Sequence, residues 1–270
     1  MTGPLEIRIL SGVVELNLAR EIFDLVWPSD EGTQITANLL QALSYNGAYV
    51  SGAFIDGEVV AAAFAFPAVD GHGHHHLHSH MAAVKDQFRN QNIGSAIKWH
   101  QRTWAIEHGY QRITWTFDPL VRRNAKLNLV KLGVQVFQYL PNFYGDLPDA
   151  LNAGDPTDRA IARWDLASER VRLAEKKLLQ TIVNSDLPIA LENLDGNPLE
   201  RSISQRSSRV LCYLPEDIIQ IRSTNPELAL KWRLALRNQL LPRMENGWRI
   251  QDFSTDGAYV VTNEDQEEGI

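Results

Sequence analysis

The 270-residue sequence is informative first for what it has little of. It contains one cysteine, Cys212, so an intrachain disulfide is excluded and a reducing compartment is expected. Its net charge is −7, which disfavours a general role in nucleic-acid binding. No apolar run approaches the length that crosses a membrane, and the first residues lack the pattern of a signal peptide. We therefore expect a cytoplasmic protein with no nucleic-acid or membrane partner.

The patterning that is present predicts a folded, mixed α/β domain. Hydrophobic residues make up 44% and charged residues 22% of the chain, as in ordinary globular proteins. Period-two and helical periodicities then divide the first part of the chain. Strands are predicted over 5–10, 48–55, 58–66, 76–84, 112–117, 134–139 and 161–166, and helices over 15–27, 36–44, 93–108 and 124–132. This order predicts an antiparallel meander that leads into one β-α-β crossover.

The C-terminal part is predicted as a smaller α+β extension. We expect a charged helix over 170–183, a loop over 186–208 and a strand over 210–214. An amphipathic helix over 227–244 and a hairpin of 248–253 with 258–262 follow. The acidic tail, 263–270, is predicted to be disordered. The expected domains are therefore 1–166 and 167–270.

The stretch from Met81 to Lys98 predicts a phosphate site. Three small residues, Ala82, Ala83 and Val84, end a strand and are followed by a polar turn and a helix that begins near Ile93. The start of a helix offers free backbone N–H groups and the positive end of the helix dipole. Small side chains let a ligand lie along the strand. The pattern predicts a long cofactor that is phosphorylated at one end.

Histidines are concentrated just before this turn. Six of the eight lie between His72 and His80, and alternation places His76, His78 and His80 on one face, opposite Leu77, Ser79 and Met81. Near neutral pH an imidazole can take a proton from an amine, so His78 and His80 are candidate catalytic bases. The alternatives are hydrogen-bonded or solvated strand residues, or a divalent-metal site.

Aromatic residues near the predicted turn are candidates for an acceptor pocket. Trp115 and Phe117 share a face of the strand that follows the crossover, and Trp27 ends the first predicted helix. The same residues could simply belong to the core.

The turn resembles the signature of the GNAT acyltransferase superfamily, which is Arg or Gln, two residues, Gly, one residue, then Gly or Ala. Here the motif runs from Arg89 to Gly94, and the resemblance covers roughly residues 5–166. It implies a central, mostly antiparallel twisted sheet flanked by helices, and acetyl-CoA or another acyl-CoA as co-substrate. The implied cofactor-binding residues are Ala82, Ala83, Val84, Arg89, Asn90, Gln91, Asn92, Ile93, Gly94, Ser95 and Asn124.

Two positions depart from that family pattern. Asn92 stands where the first glycine is expected, and asparagine tolerates left-handed backbone better than most residues. Leu129 stands where many members carry a tyrosine that protonates the leaving thiolate. Tyr144 and Tyr139 are the nearest replacements, and Tyr144 is the candidate acid. The run from His78 to His80 also resembles the His-x-His pair of arylalkylamine N-acetyltransferases, which relays protons.

The resemblance implies an acetyl-CoA-dependent N-acetyltransferase with a small-molecule amine acceptor, direct transfer, no metal and a possible homodimer. Two alternatives stay open. One is a CoA-binding module without catalysis, which Asn92 and Leu129 favour, and the other is a His-rich metal-binding protein.

Overall fold

The computed structural model describes residues 3–28, 32–145, 155–180, 186–204 and 206–263. The chain forms two compact units, residues 1–115 and 116–270. The predicted domain boundary at residue 166 stays a prediction.

The first unit contains a five-stranded sheet with helices on both faces. Its elements are β1 (Glu6–Ile9), α1 (Gly12–Val26), α2 (Ala37–Tyr45), β2 (Tyr49–Ile55), β3 (Glu58–Val69), β4 (His75–Val84), α3 (Ile93–Glu107) and the first residues of β5 (Arg112–Phe117). The strand order is β1-β2-β3-β4-β5. All neighbours are antiparallel except β4 and β5, which the α3 crossover joins in parallel. The turn between β2 and β3 uses Asp56 and Gly57, both at positive φ, as a two-residue hairpin requires.

Adjacent residues of β2 show how the two faces are covered. Val50 packs with Leu16 of α1 and Leu40 of α2 in one apolar cluster. Its neighbour Tyr49 points the other way and contacts α3, where its hydroxyl lies 2.9 Å from Nδ1 of His100. The α1/α2 face and the α3 face are therefore opposite faces of this sheet.

The second unit contains a seven-stranded sheet with the order β7-β6-β11-β12-β10-β8-β9. Among the strands that the structure describes in this unit, only β8 and β10 are parallel neighbours. Its elements are α4 (Arg122–Ala125), β6 (Gln135–Leu140), β7 (Arg159–Asp165), α5 (Glu169–Glu175), β8 (Ile189–Leu194), β9 (Asn197–Glu200), β10 (Arg209–Tyr213), α6 (Ile218–Thr224), α7 (Pro226–Glu245), β11 (Arg249–Phe253) and β12 (Ala258–Thr262).

The helix predicted over 124–132 changes type along its length. After α4 it continues as a π-helix over Lys126–Lys131, and the N–H of Leu132 donates to the Leu127 carbonyl five residues earlier. Gly133 ends it with φ 70°, and a Cβ at that position would lie 2.9 Å from the Arg170 carbonyl oxygen. Glycine is therefore required there by both conformation and space.

Several predictions for the C-terminal part were wrong. The stretch 186–208 contains the hairpin of β8 and β9 and not only a loop, α6 was missed, and the helix predicted to 183 ends at Glu175. Within α7, Leu230 and Leu234 are exposed, whereas Arg233 is fully buried. The predicted disordered tail lies outside the described residues except for Asn263, whose N–H donates to the Ser208 carbonyl.

The predicted fold class is confirmed: a mixed α/β chain whose sheets are mostly antiparallel and flanked by helices. Among the described residues no helix is both long enough and apolar enough to span a bilayer.

Candidate active site and cofactor loop

Strand β4 carries the candidate histidines and has a β-bulge at their centre. Ser79 pairs with Ala65 and Met81 pairs with Phe64, so His80 is an extra residue in the register with β3. The bulge exchanges the two faces of the strand. Ser79 contacts α3, whereas Met81 packs in the α1/α2 cluster. The prediction that Met81 shares a face with Ser79 was therefore wrong, because one inserted residue shifts the alternation.

The bulge brings His78 and His80 together beside Phe66. The two imidazole centroids lie 6.2 Å apart, and the Phe66 ring lies 5.3 Å from His78 and 5.8 Å from His80. Nδ1 of His78 lies 3.1 Å from Oγ1 of Thr114 on β5. His78 is half-buried and His80 is exposed. One histidine is thus held in place and its neighbour reaches solvent.

Desolvation favours the neutral form of both imidazoles. Desolvation, helped by the charges of His80, His76 and Lys98, lowers the pKa of His78 to about 4. Desolvation also lowers the pKa of His80. A neutral imidazole has a free lone pair, so both residues are in the form that accepts a proton.

The β4–β5 ladder is very short. Its paired register comprises Leu77 with Ile113 and His78 with Thr114. Beyond His78, β4 continues to Val84, and Ala82 is exposed in this part of the strand. An unpaired strand edge offers backbone N–H and C=O groups to an extended ligand.

The turn after β4 leads directly into α3. A 3₁₀ turn over Asp86–Phe88 is followed by Arg89, whose guanidinium lies 2.7 Å from the Asp86 carboxylate. Asn90 and Asn92 both adopt left-handed backbone, with φ 65° and 62°. Asn92 is the N-cap of α3 and accommodates the conformation that glycine favours, so the departure from the family motif preserves the turn.

The amides at the start of α3 form the candidate anion site. In a helix the first N–H groups have no intrahelical acceptor, and the dipole adds a positive potential. A Cβ at Gly94 would make only an ordinary contact, 3.8 Å from a Val84 side-chain carbon, so the protein itself leaves space at this position. The residues from Gln91 to Ser95 are therefore compatible with a pyrophosphate.

Tyr144 belongs to the second unit and is held there by a hydrogen-bonded loop. Its hydroxyl lies 2.8 Å from Oγ1 of Thr116, and its backbone N–H donates to the Thr157 hydroxyl. By contrast Tyr139 is buried, and its hydroxyl donates to Asp158. Desolvation, together with this carboxylate, raises the pKa of Tyr139 well above the ordinary range. Of the two candidate acids, Tyr144 is the exposed one, and its role as acid stays a prediction.

Two further positions of the second unit concern the family pattern. Leu129 lies fully buried in the π-helical segment, so an apolar residue occupies the place of the usual tyrosine. Asn124 lies in α4 and is half-buried. Its contact with a cofactor stays a prediction.

The candidate acceptor residues are mostly internal. Trp115 and Phe117 are buried, whereas Trp27 is half-buried against the α1/α2 cluster. Their role in binding an acceptor stays a prediction. Among the described residues there is no group of three or more His, Cys, Asp or Glu side chains placed to hold a metal ion.

Sequence reasoning missed Thr114, Phe66 and Lys98. The first two could have been found from the register of β4 with its neighbouring strands. Lys98 gave no signal, because a lysine in an amphipathic helix is ordinarily placed on the solvent side.

Part of the chain matches a known protein family. Residues 16–133 match the acetyltransferase (GNAT) family. No curated protein matches the chain.

Solved structures resemble about 60% of the chain. The protein yncA from Salmonella typhimurium, solved with its cofactor acetyl-CoA, has a TM-score of 0.51 and 15% identity, over 62% of this chain and 96% of its own. A GNAT-family acetyltransferase from Streptococcus pneumoniae has a TM-score of 0.49 and 14% identity, over 59% and 98%. One from Elizabethkingia anophelis with acetyl-CoA bound has 0.45 and 15%, over 60% and 97%.

The likeness to yncA shows the fold alone. The family match spans most of α1, the bulged strand, the asparagine turn and Gly133. The predicted resemblance to the GNAT acyltransferases is confirmed over these residues. Residues 16–133 of this chain are thus similar in sequence to the GNAT acetyltransferase family.

Proposed function

We propose that this protein is an acetyl-CoA-dependent N-acetyltransferase that transfers the acetyl group directly to a small-molecule amine. The observation that carries the proposal is the continuity of two features in one unit. A strand edge that opens immediately after His78 runs to Val84, and the left-handed asparagine turn then leads into the N-terminus of α3.

In this proposal the cofactor lies along that path. The backbone N–H groups between Gln91 and Ser95 hold the pyrophosphate. The pantetheine arm lies along β4 and hydrogen-bonds to the backbone of Ala82 and Val84, as an added strand would. The thioester then lies near the bulge, where an N–H of β4 polarises its carbonyl oxygen.

The chemistry requires an acceptor for one proton. The amine lone pair attacks the thioester carbonyl carbon, a C–N bond forms, and the C–S bond breaks to release CoA as its thiolate. The proton that the nitrogen loses passes to His78 or His80, directly or through water. Both are neutral near pH 7, and a positioned base contributes about 10²- to 10⁴-fold in rate.

The amine is the preferred acceptor class because aminolysis needs such a base. The net charge of −7 weakly favours a cationic acceptor over an anionic one. We expect the location to be the cytoplasm. A homodimer is a further expectation from the resemblance.

The test separates cofactor binding from catalysis. Calorimetry would measure binding of acetyl-CoA and CoA, and a thiol reagent would follow CoA release with a panel of primary amines. The variants are His78→Gln, His80→Gln and the double variant, with His75→Gln, an exposed position on the same strand, as matched control. We expect binding within about threefold of wild type in all variants. Transfer should fall at least tenfold in the double variant and by less in each single variant, with no change in the control.

Two outcomes would contradict the proposal. If acetyl-CoA does not bind the wild-type protein, the cofactor assignment is wrong. If it binds but no amine releases thiol, the non-catalytic CoA-binding module, which the buried Leu129 favours, is correct.

A further inference from the structure

Lys98 is a buried lysine in the first unit that the proposed chemistry does not use. It lies on α3, and only 5% of it is exposed. Its Nζ donates to Oγ of Ser79 at 2.9 Å and to Oε1 of Gln101 at 2.8 Å. The same ammonium lies 3.7 Å from the centroid of the Trp115 ring. A lysine head group is rarely enclosed in this way without a specific reason.

The contacts of Lys98 coincide with the point where the β4–β5 ladder stops. The paired register is Leu77 with Ile113 and His78 with Thr114. In a parallel ladder the next pair would be Ser79 with Trp115. These are the residues of β4 and β5 that the ammonium contacts, so its side chain links the two strands at the first missing pair.

We propose that Lys98 is a positioning residue that holds β4 and β5 apart beyond His78 and so keeps the edge of β4 open for the arm of an acyl-CoA. The proposal rests on the proposed function, because that function defines what the open edge binds.

The chemistry of the contacts explains why a lysine suits this position. Its head group donates to the hydroxyl of Ser79 and also contacts the π-face of Trp115, so one group satisfies both strands. The head group is also held by its own helix, because Oε1 of Gln101, one turn further along α3, accepts another of its N–H groups. Burial lowers the pKa of Lys98 well below its ordinary range, but the amine donates to these acceptors in either protonation state.

The bulge supplies the matching distortion on the other side of β4. His80 interrupts the register with β3, and one residue earlier Ser79 is where pairing with β5 ends. The bulge and the end of the pairing with β5 thus lie within two residues of each other, whereas pairing with β3 resumes at Met81 and continues to Val84. Lys98 acts at the end of the pairing with β5, and the bulge belongs to the register of β4 with β3.

The test is Lys98→Met, which keeps the length of the side chain and removes the donors. Without ligand, we expect amide hydrogen exchange in peptides covering residues 79–84 to slow at least several-fold, because the freed strands can extend their ladder. Binding of acetyl-CoA, measured by calorimetry, should weaken about tenfold, because those new hydrogen bonds must break on binding. Lys231→Met, at an exposed position of α7, is the matched control and should change neither quantity.

The thermal midpoint of Lys98→Met reports whether the fold is kept, and we expect it at or above that of wild type because a buried amine is replaced by an apolar group. If the variant does not fold, Ser79→Ala removes one of the same contacts with a smaller change and should alter exchange and affinity in the same direction. Wild-type exchange and wild-type affinity in a folded variant would overturn the proposal while leaving the proposed function intact. Failure of the wild-type protein to bind acetyl-CoA would instead count against the proposed function.

Discussion

The protonation of His78 offers a sharp test of the electrostatics of the bulged strand. Burial lowers its pKa from 6.5 to about 4. At pH 5.5 about 3% of His78 should then carry a proton, compared with about 90% of an ordinary histidine. Acidification from pH 7.5 to 4 with ¹⁵N-labelled imidazoles, followed by NMR, would measure this directly, and His78→Gln would assign the signal.

The same shift has a consequence for stability. Because the folded-state pKa lies below the unfolded value, the unfolded chain binds more protons between these two values, and the free energy of unfolding falls as the pH decreases from 6.5 towards 4. At pH 5 the shift would cost up to about 2 kcal/mol, and about 1 kcal/mol after allowance for the partial exposure of the ring. Wild type should therefore lose about 1–2 kcal/mol more than His78→Gln between pH 7 and pH 5, as measured by urea unfolding.

An imidazole signal of His78 that titrates at pH 6 or above would refute this reasoning. The ring would then be solvated or paired with an anion, and the burial that is argued to lower its pKa would not act in solution. An equal loss of stability in wild type and His78→Gln would lead to the same conclusion through an independent measurement.

The remaining predictions concern two backbone positions. Asn92 has φ 62°, so Asn92→Ala should weaken CoA binding about fivefold because alanine adopts left-handed backbone at a cost, whereas Asn92→Gly should bind at least as well as wild type. Calorimetry with CoA would measure both affinities, and wild-type affinity in the alanine variant would contradict the assignment of the turn. Gly133→Ala should lower the free energy of unfolding by about 2–4 kcal/mol. The cost of positive φ for alanine is added to the cost of a Cβ that lies 2.9 Å from the Arg170 carbonyl oxygen. Gly196→Ala, at positive φ in open space, should cost only about 1–2 kcal/mol in the same urea titration, and equal losses would show that the contact contributes nothing.

The part of the fold that could be predicted from sequence is the part with strong local signals. The turn at Asp56 and Gly57 lies between two apolar runs and was found. The equivalent turn at Asp195 and Gly196 joins strands that alternate with Glu and Asn, so its weaker hydrophobic pattern concealed it. Local turn chemistry was the same in both cases, and the difference was the burial of the flanking strands.

Buried charged side chains account for much of what could not be predicted from the sequence. The sequence predicts α7 as an amphipathic helix, but its buried side includes Arg233, which pairs with Asp118 and Asp155. In α3 the buried side likewise includes Lys98. The burial of each charged side chain depends on partners in other elements of the fold. The periodicity of the helix alone does not reveal those partners. The bulge at His80 could not be predicted for a similar reason, because the register that defines it depends on both β3 and β4.

The bulge also bears on which histidine accepts the proton. A base works best when its pKa lies near the operating pH, and His78, at about 4, is a weak acceptor. His80 is exposed, and desolvation alone lowers its pKa. Since charge on His80 also lowers the pKa of His78, the pair holds one proton more easily than two. We therefore expect His80 to take the proton and His78, fixed against Thr114, to orient it, so that His80→Gln should impair transfer more than His78→Gln.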